Sequence, residues 1–448
     1  MQFAFGRRRK LTAALASLTA AVALLAMGSL ALARAGHGQD RSHKSHSKSS
    51  GQNKGKGHQS HPRGQGRITS APWGTLSDGT AVNLFTLSNG SMKVEISNYG
   101  GIVQSIWVPD RRGHLVNVAL GFPATQAGLS QYETDFTNPP SGGSGDTYFG
   151  AIIGRYANRI ANHQFTLDGN TYNLVGNNGP NNINTLHGGP NAYNTQVWQA
   201  TPEQTSAGPA LKLHYIDPDG KNGFPGTVDN TVTYTLTRSN GLQIEYLATT
   251  DAPTVVNFTN HTYFNLAGEG SGDVFDQLLK INANTFTPTD ANLIPTGQFV
   301  SVAGTPFDFR HLKPIGQNIH DASAPQGDQL VLAHGYDHNW VLNGGKGPAS
   351  VAEDPSNGIV LSTFTDQPGI QVYTGNFLLG DLVGTSGHTY RQGDGFTLET
   401  QHYPDTPHHI GDPNWPSVVL NPGTPFTSTT TYQFSTAGRH HNSSHHHS

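Results

Sequence analysis

The chain has 448 residues, enough to bury a sizeable core, with 54 Gly, 27 Pro and no Cys. The missing Cys excludes disulfide stapling and any thiol or Cys-metal chemistry. Residues 1–70 carry 12 Lys/Arg against one acid, which leaves 14 against 29 and a net charge of −15 in residues 71–448; such an acidic body argues against nucleic-acid partners and against an anionic substrate, and suits a neutral one.

In chain order, Arg7-Arg8-Arg9-Lys10 precedes an Ala/Leu-rich run over residues 11–32 and then Ala33-Arg34-Ala35. A basic region, an apolar region and a small-residue cleavage site are the layout of a secretory signal. The expectation is a signal peptide over residues 1–35 and an exported chain, periplasmic or extracellular. The apolar run is also long enough for an uncleaved membrane anchor, and no other membrane partner is expected. Residues 36–70 are rich in His, Lys, Ser and Gly and cannot bury enough apolar surface to order themselves, so they read as a disordered linker. Residues 439–448 form a similar His-rich tail. Together the tails hold 10 of the 23 His, without the fixed spacing or acidic partners of a metal site, and read as solvated segments.

Between the tails, over residues 71–438, strand signals dominate. Leu84 to Leu87 and Met92 to Ile96 flank Ser88-Asn89-Gly90, a hairpin signal. Val232, Tyr234 and Leu236 alternate with threonines. After Ser239-Asn240-Gly241 a second alternation runs through Leu242, Ile244 and Tyr246. Further strands are expected over residues 102–107, 211–216, 359–365, 370–374 and 396–401, with a loop inserted over residues 138–146. No break in composition divides this stretch. The reading is one all-β domain, a large antiparallel β-sandwich.

Five patches place polar and ionisable residues inside strand-like or turn-rich sequence. They are Gly154-Arg155-Tyr156-Ala157-Asn158-Arg159-Ile160, Leu186-His187-Gly188-Gly189, Asn257-Phe258-Thr259-Asn260-His261-Thr262-Tyr263-Phe264-Asn265-Leu266, Tyr336-Asp337-His338-Asn339-Trp340 and Leu398-Glu399-Thr400-Gln401-His402-Tyr403-Pro404-Asp405. In this order, they strongly resemble the motifs of the aldose 1-epimerases, also called galactose mutarotases. The resemblance covers most of residues 75–435 and includes Asn98-Tyr99-Gly100-Gly101, Asn222-Gly223-Phe224-Pro225-Gly226 and Leu293-Ile294-Pro295-Thr296-Gly297. It implies a large antiparallel sandwich, an isomerase activity on free aldoses of the glucose/galactose type, and neither metal nor cofactor.

Opening a cyclic hemiacetal takes a base for the anomeric hydroxyl and an acid for the ring oxygen. By motif position the resemblance makes Glu399 the base and His261 the acid. His187 is the second active-site histidine, bonding the sugar near its ring oxygen. Asn158 and Arg159 match a hydroxyl-binding pair, Asp337 an anchoring carboxylate, and Gln371 a further substrate contact. Tyr263 and Trp340 are candidates for the pocket wall or for the core. Read without the resemblance, His261 is as well explained as a hydrogen-bonded structural histidine, Glu399 as a solvent-facing acid, Asp337 as a turn cap, and Arg155 or Arg159 as a structural ion pair. Two rivals follow: a sugar-binding sandwich without catalysis, and a glycoside hydrolase, which uses a pair of carboxylates flanking the bond. The loops at Pro190-Asn191-Ala192-Tyr193-Asn194 and over residues 406–415 depart from the family pattern and are expected to border the sugar site.

Overall fold

The computed structural model describes residues 66–139 and 143–438. The signal, linker and C-terminal tail expectations lie outside these residues, except that the first strand begins at Arg67, inside the expected linker. That strand, Arg67–Thr75, is a mostly exposed edge paired with Ala81–Ser88, so it carries no alternation from which it could be read.

Two large antiparallel sheets face each other. Nine strands run in the order Gln199–Gln204, Pro209–Asp217, Val228–Leu236, Gly241–Thr250, Phe426–Thr436, Ile359–Thr365, Ser350–Glu353, Leu278–Ile281, Lys313–Pro314. Six run Tyr263–Phe264, Phe396–Gln401, Gly369–Tyr373, Asp337–Leu342, Ala283–Thr287, Val300–Ser301. A five-stranded antiparallel sheet covers Arg67–Asn117. Both expected hairpins form, with Leu236 paired to Leu242 and Ser88 to Lys93. The expected strand over residues 396–401 matches to the residue.

Alternation decides what each strand of the six-stranded sheet presents to the core. Phe396, Leu398, Ile370, Val372 and Trp340 join the cluster shared with Ile244, Tyr432 and Phe434 of the opposite sheet. Strand periodicity then turns Thr397, Glu399, Gln401, Gln371, Tyr373, Asp337 and Asn339 to the other face. Trp340 therefore serves the core and not a sugar pocket: it packs on Phe286, Phe307, Phe309 and Tyr336 and its indole N–H donates to the Phe307 carbonyl.

The expected 138–146 loop follows a helix that the sequence reading missed, Gln126–Thr137, capped by the Thr125 hydroxyl accepting from the Gly128 N–H. It buries Leu129, Tyr132 and Phe136 at helical spacing, and Phe136 stacks on Tyr148 at the edge of the site. No helix among the described residues is long and apolar enough to cross a membrane.

Candidate active site

On the non-core face of the six-stranded sheet lies a cavity of about 530 Å³, lined by Asn158, Arg159, His187, His261, Tyr263, Asp337 and Glu399 together with Tyr148 and Tyr373. Seven of the nine side chains singled out in the sequence thus converge on one space of the size that holds small ligands, Trp340 being part of the core. Gln371 is the other exception. It lies beneath the cavity, 3% exposed, and its Nε2 donates to Asp337 Oδ1 at 2.7 Å. In this position it holds the Asp337 carboxylate from below.

Each functional side chain is fixed by its backbone. The two-residue strand Arg159–Ile160 pairs with Thr185–Leu186, Leu186 opposite Arg159, which brings His187 beside Asn158. Asn158 has φ 67° and His187 φ 53°, a left-handed conformation that Asn adopts more easily than most residues. In this bend the Asn158 N–H donates to His187 Nδ1 at 3.1 Å. With Nδ1 accepting, the proton of the neutral ring sits on Nε2. Burial, then the neighbouring His261 and Arg159, hold the His187 pKa well below the usual value. His187 is therefore a neutral Nε2–H donor.

The His261 backbone bonds to Ala151 O and from Gly150 N–H, and its ring is packed by Tyr148, His187 and Tyr263. Its Nε2 lies 3.5 Å from Glu399 Oε1, the same oxygen that accepts from the Thr397 hydroxyl at 2.8 Å. Glu399 is 2% exposed, so the solvent-facing reading fails. Arg159 donates through Nε to Asn178 Oδ1 at 3.0 Å and sets Nη1 3.7 Å from Asp337 Oδ2. Arg155 is the structural cation of the pair, buried against Asp217 at 2.7 Å.

Burial dominates the protonation of the central pair. It pushes Glu399 up to about 8 and His261 down to about 3, because removal from bulk solvent penalises whichever form is charged. Between those limits the pair carries one proton in total: burial favours holding it as neutral acid and neutral imidazole, and attraction at 3.5 Å supports the alternative of carboxylate and imidazolium. Ordinary pKa values near 4.3 and 6.5 would give a narrow window; this site gives a broad one. The kcat/KM profile is expected to be flat between about 3 and about 8, falling on the acid side as a second proton blocks the base and on the alkaline side as the last proton leaves. A narrow maximum near pH 5 to 6, of about the width set by the ordinary values, would refute it.

Ligand atoms of His187, His261 and Glu399 lie within 4.8 Å of one another, a spacing a metal ion could bridge. Two of those side chains are already engaged, His187 through Nδ1 and Glu399 through Oε1. The cofactor-free expectation is checked by dialysis against a strong chelator, which should leave the rate unchanged.

Sequence reasoning missed Tyr148, whose ring meets both histidines edge-on or tilted at 4.7 and 5.6 Å and whose hydroxyl donates to Asp146. It has φ 56° and sits in no polar motif, so nothing in the sequence singled it out. The two departing loops, residues 190–194 and 406–415, do not line the cavity. Its rim is built by residues 144–147, 177–180, 291–293, 332, 334 and 377–378, segments without chemical signatures of their own.

The sequence profile of the aldose 1-epimerase family matches residues 83–433, and the chain belongs to that family. It is 39% identical to the galactose mutarotase of Bos taurus over 373 residues, 83% of this chain and 99% of that protein. It is 36% identical to the aldose 1-epimerase of Escherichia coli K12 over 363 residues, 80% and 96% of the two chains. Among solved structures, the galactose 1-epimerase of Lactobacillus acidophilus NCFM superposes with a TM-score of 0.69 at 28% identity, covering 83% of this chain and 99% of that one. The aldose epimerase homologue from C. elegans gives 0.67 at 27%, covering 83% and 100%.

Proposed function

We propose that this chain is an isomerase that interconverts the α and β anomers of a free aldose by opening and reclosing its ring. The observation that carries this reading is the buried Glu399–His261 pair, 3.5 Å apart and lining the cavity. The two oxygens of a hemiacetal share one carbon, so a base for one and an acid for the other must be close neighbours. A hydrolase instead sets two carboxylates on either side of the bond it cuts.

Glu399 removes the proton of the anomeric hydroxyl. The carbonyl forms, the bond from the anomeric carbon to the ring oxygen breaks, and that oxygen takes the proton of His261. The aldehyde rotates, the ring oxygen attacks the other face and returns its proton to His261, and Glu399 returns the other proton to the new hydroxyl. Both groups end as they began. The Nε2–H of His187 donates toward the ring-oxygen side, while Asn158, Arg159 and Asp337 hold hydroxyls, with Tyr263 as wall. Relatives named galactose mutarotase support a hexose of the glucose/galactose type.

Magnetisation-transfer NMR tests the activity: the protein should speed exchange between the α and β anomeric protons of glucose or galactose and release no monosaccharide from a glycoside. Sugar binding without faster exchange would support the non-catalytic module. Asp337→Asn and Arg159→Met should mainly raise KM, by roughly 10- to 100-fold, since each removes a charged hydrogen-bond partner; initial-rate kinetics that located the loss in kcat would reassign them.

The basic and apolar segments at the N-terminus support export, with a mature chain beginning near Gly36. Mass spectrometry of the protein from its host should find that terminus; an intact Met1 would favour the anchor.

A further inference from the structure

Behind Glu399 the sheet face carries a patch of buried amides. Asn339, Gln371 and Glu399 are direct partners across three neighbouring strands, and Gln401 follows Glu399 by two residues on the same face. None of the four is more than 3% exposed. Six of their polar atoms have no hydrogen-bond partner among the described residues: both amide atoms of Asn339, both of Gln401, Oε1 of Gln371 and Oε2 of Glu399.

Gly369 brings these groups together. It is the strand partner of Gln401, and a Cβ there would lie 2.3 Å from Asn339 Oδ1, 3.0 Å from the Tyr403 ring and 3.2 Å from the Gln401 carbonyl oxygen. The Asn339 amide thus leans over the one position in the row without a side chain, toward Gln401. Buried polar groups are paired in more than about nine cases in ten. Six adjacent orphans, two of them N–H donors and four acceptors, call for a shared partner that both donates and accepts and is small enough for a closed space. Water meets those terms.

We propose that Asn339, Gln371 and Gln401 enclose a buried cluster of ordered water that hydrogen-bonds Glu399 Oε2, making the three amides positioning residues for the base. Because Gln371 also holds Asp337 through its Nε2, the same chamber ties the base to the sugar-anchoring carboxylate. Its catalytic meaning rests on Glu399 being the base; the presence of the water does not.

Two measurements test it. A high-resolution crystal structure of the wild-type protein should show ordered water bridging Glu399 Oε2 to the amides of Asn339 or Gln401; a dry chamber, or amides bonded directly to one another, would overturn the proposal whatever Glu399 does. In kinetics, Asn339→Leu, nearly isosteric but apolar, should lower kcat about tenfold with KM unchanged, through loss of support to a charged group. Asn339→Ser, which leaves room and a hydroxyl for water, should keep most of kcat. Equal losses in the two variants, a loss confined to KM, or no loss in the Leu variant would each show that the chamber does not act through Glu399.

Discussion

Glu399→Gln is expected to lower the catalysed rate by about 10²–10⁴-fold, the usual contribution of a positioned base, while sugar binding stays nearly intact. The substitution preserves shape and keeps an oxygen for the Thr397 hydroxyl, which bonds Glu399 Oε1 at 2.8 Å. What it removes is the capacity to take a proton. Burial makes Glu399 a stronger base than a surface carboxylate, its pKa raised to about 8, so no water-exposed group nearby can replace it. The effect should fall on kcat, with KM changed little, because the anomeric proton moves only on the way to the transition state. Turnover close to wild type would place the base elsewhere.

His261→Asn should cost a similar factor, about 10²–10⁴-fold, by removing the group that protonates the ring oxygen. Asn keeps a polar side chain in the space bounded by Tyr148, His187 and Tyr263, so the cavity should survive. His187 lies close, with ring centroids 5.2 Å apart, yet its Nδ1 is occupied by the Asn158 N–H and, among the described residues, it has no carboxylate at ion-pair distance of the kind that Glu399 gives His261. It can donate a hydrogen bond but is a poor source of a proton, so it should not rescue the variant. The double variant should lose less than the product of the single losses, since acid and base act on one bond rearrangement and each has little to do without the other. Polarimetric rates for the three variants decide this, and multiplicative losses would show that the two groups act independently.

Much of the site was legible because chemistry and strand periodicity coincide in this chain. In Phe396–Gln401 the apolar Phe396 and Leu398 face the core while Glu399, between them and Gln401 in the alternation, lines the cavity, and the same alternation places Asp337 beside Trp340 with opposite destinations. The hairpins announced themselves through Asn-Gly turns. What stayed hidden was of two kinds. Gln371 and Tyr148 depend on distances across the sheet or on a left-handed backbone, neither of which local pattern encodes. The helix Gln126–Thr137 has only a weak apolar stripe, Leu129, Tyr132 and Phe136, too thin to mark it. The rim of the cavity comes from five separated segments, so the unusual loops at 190–194 and 406–415 drew attention that their position in the fold does not support.

The protonation of the pair was also out of reach of sequence. Reference pKa values predict a carboxylate and an imidazolium. Burial keeps the same single proton but favours the neutral pairing.

The most direct measurement of the account is polarimetry on freshly dissolved α-galactose and α-glucose with wild-type protein and Glu399→Gln side by side. Wild type should hasten the approach to the same final rotation that the sugar reaches alone, and the variant should barely alter the spontaneous rate. A wild-type protein that leaves the rate unchanged, or a variant as fast as wild type, would contradict it.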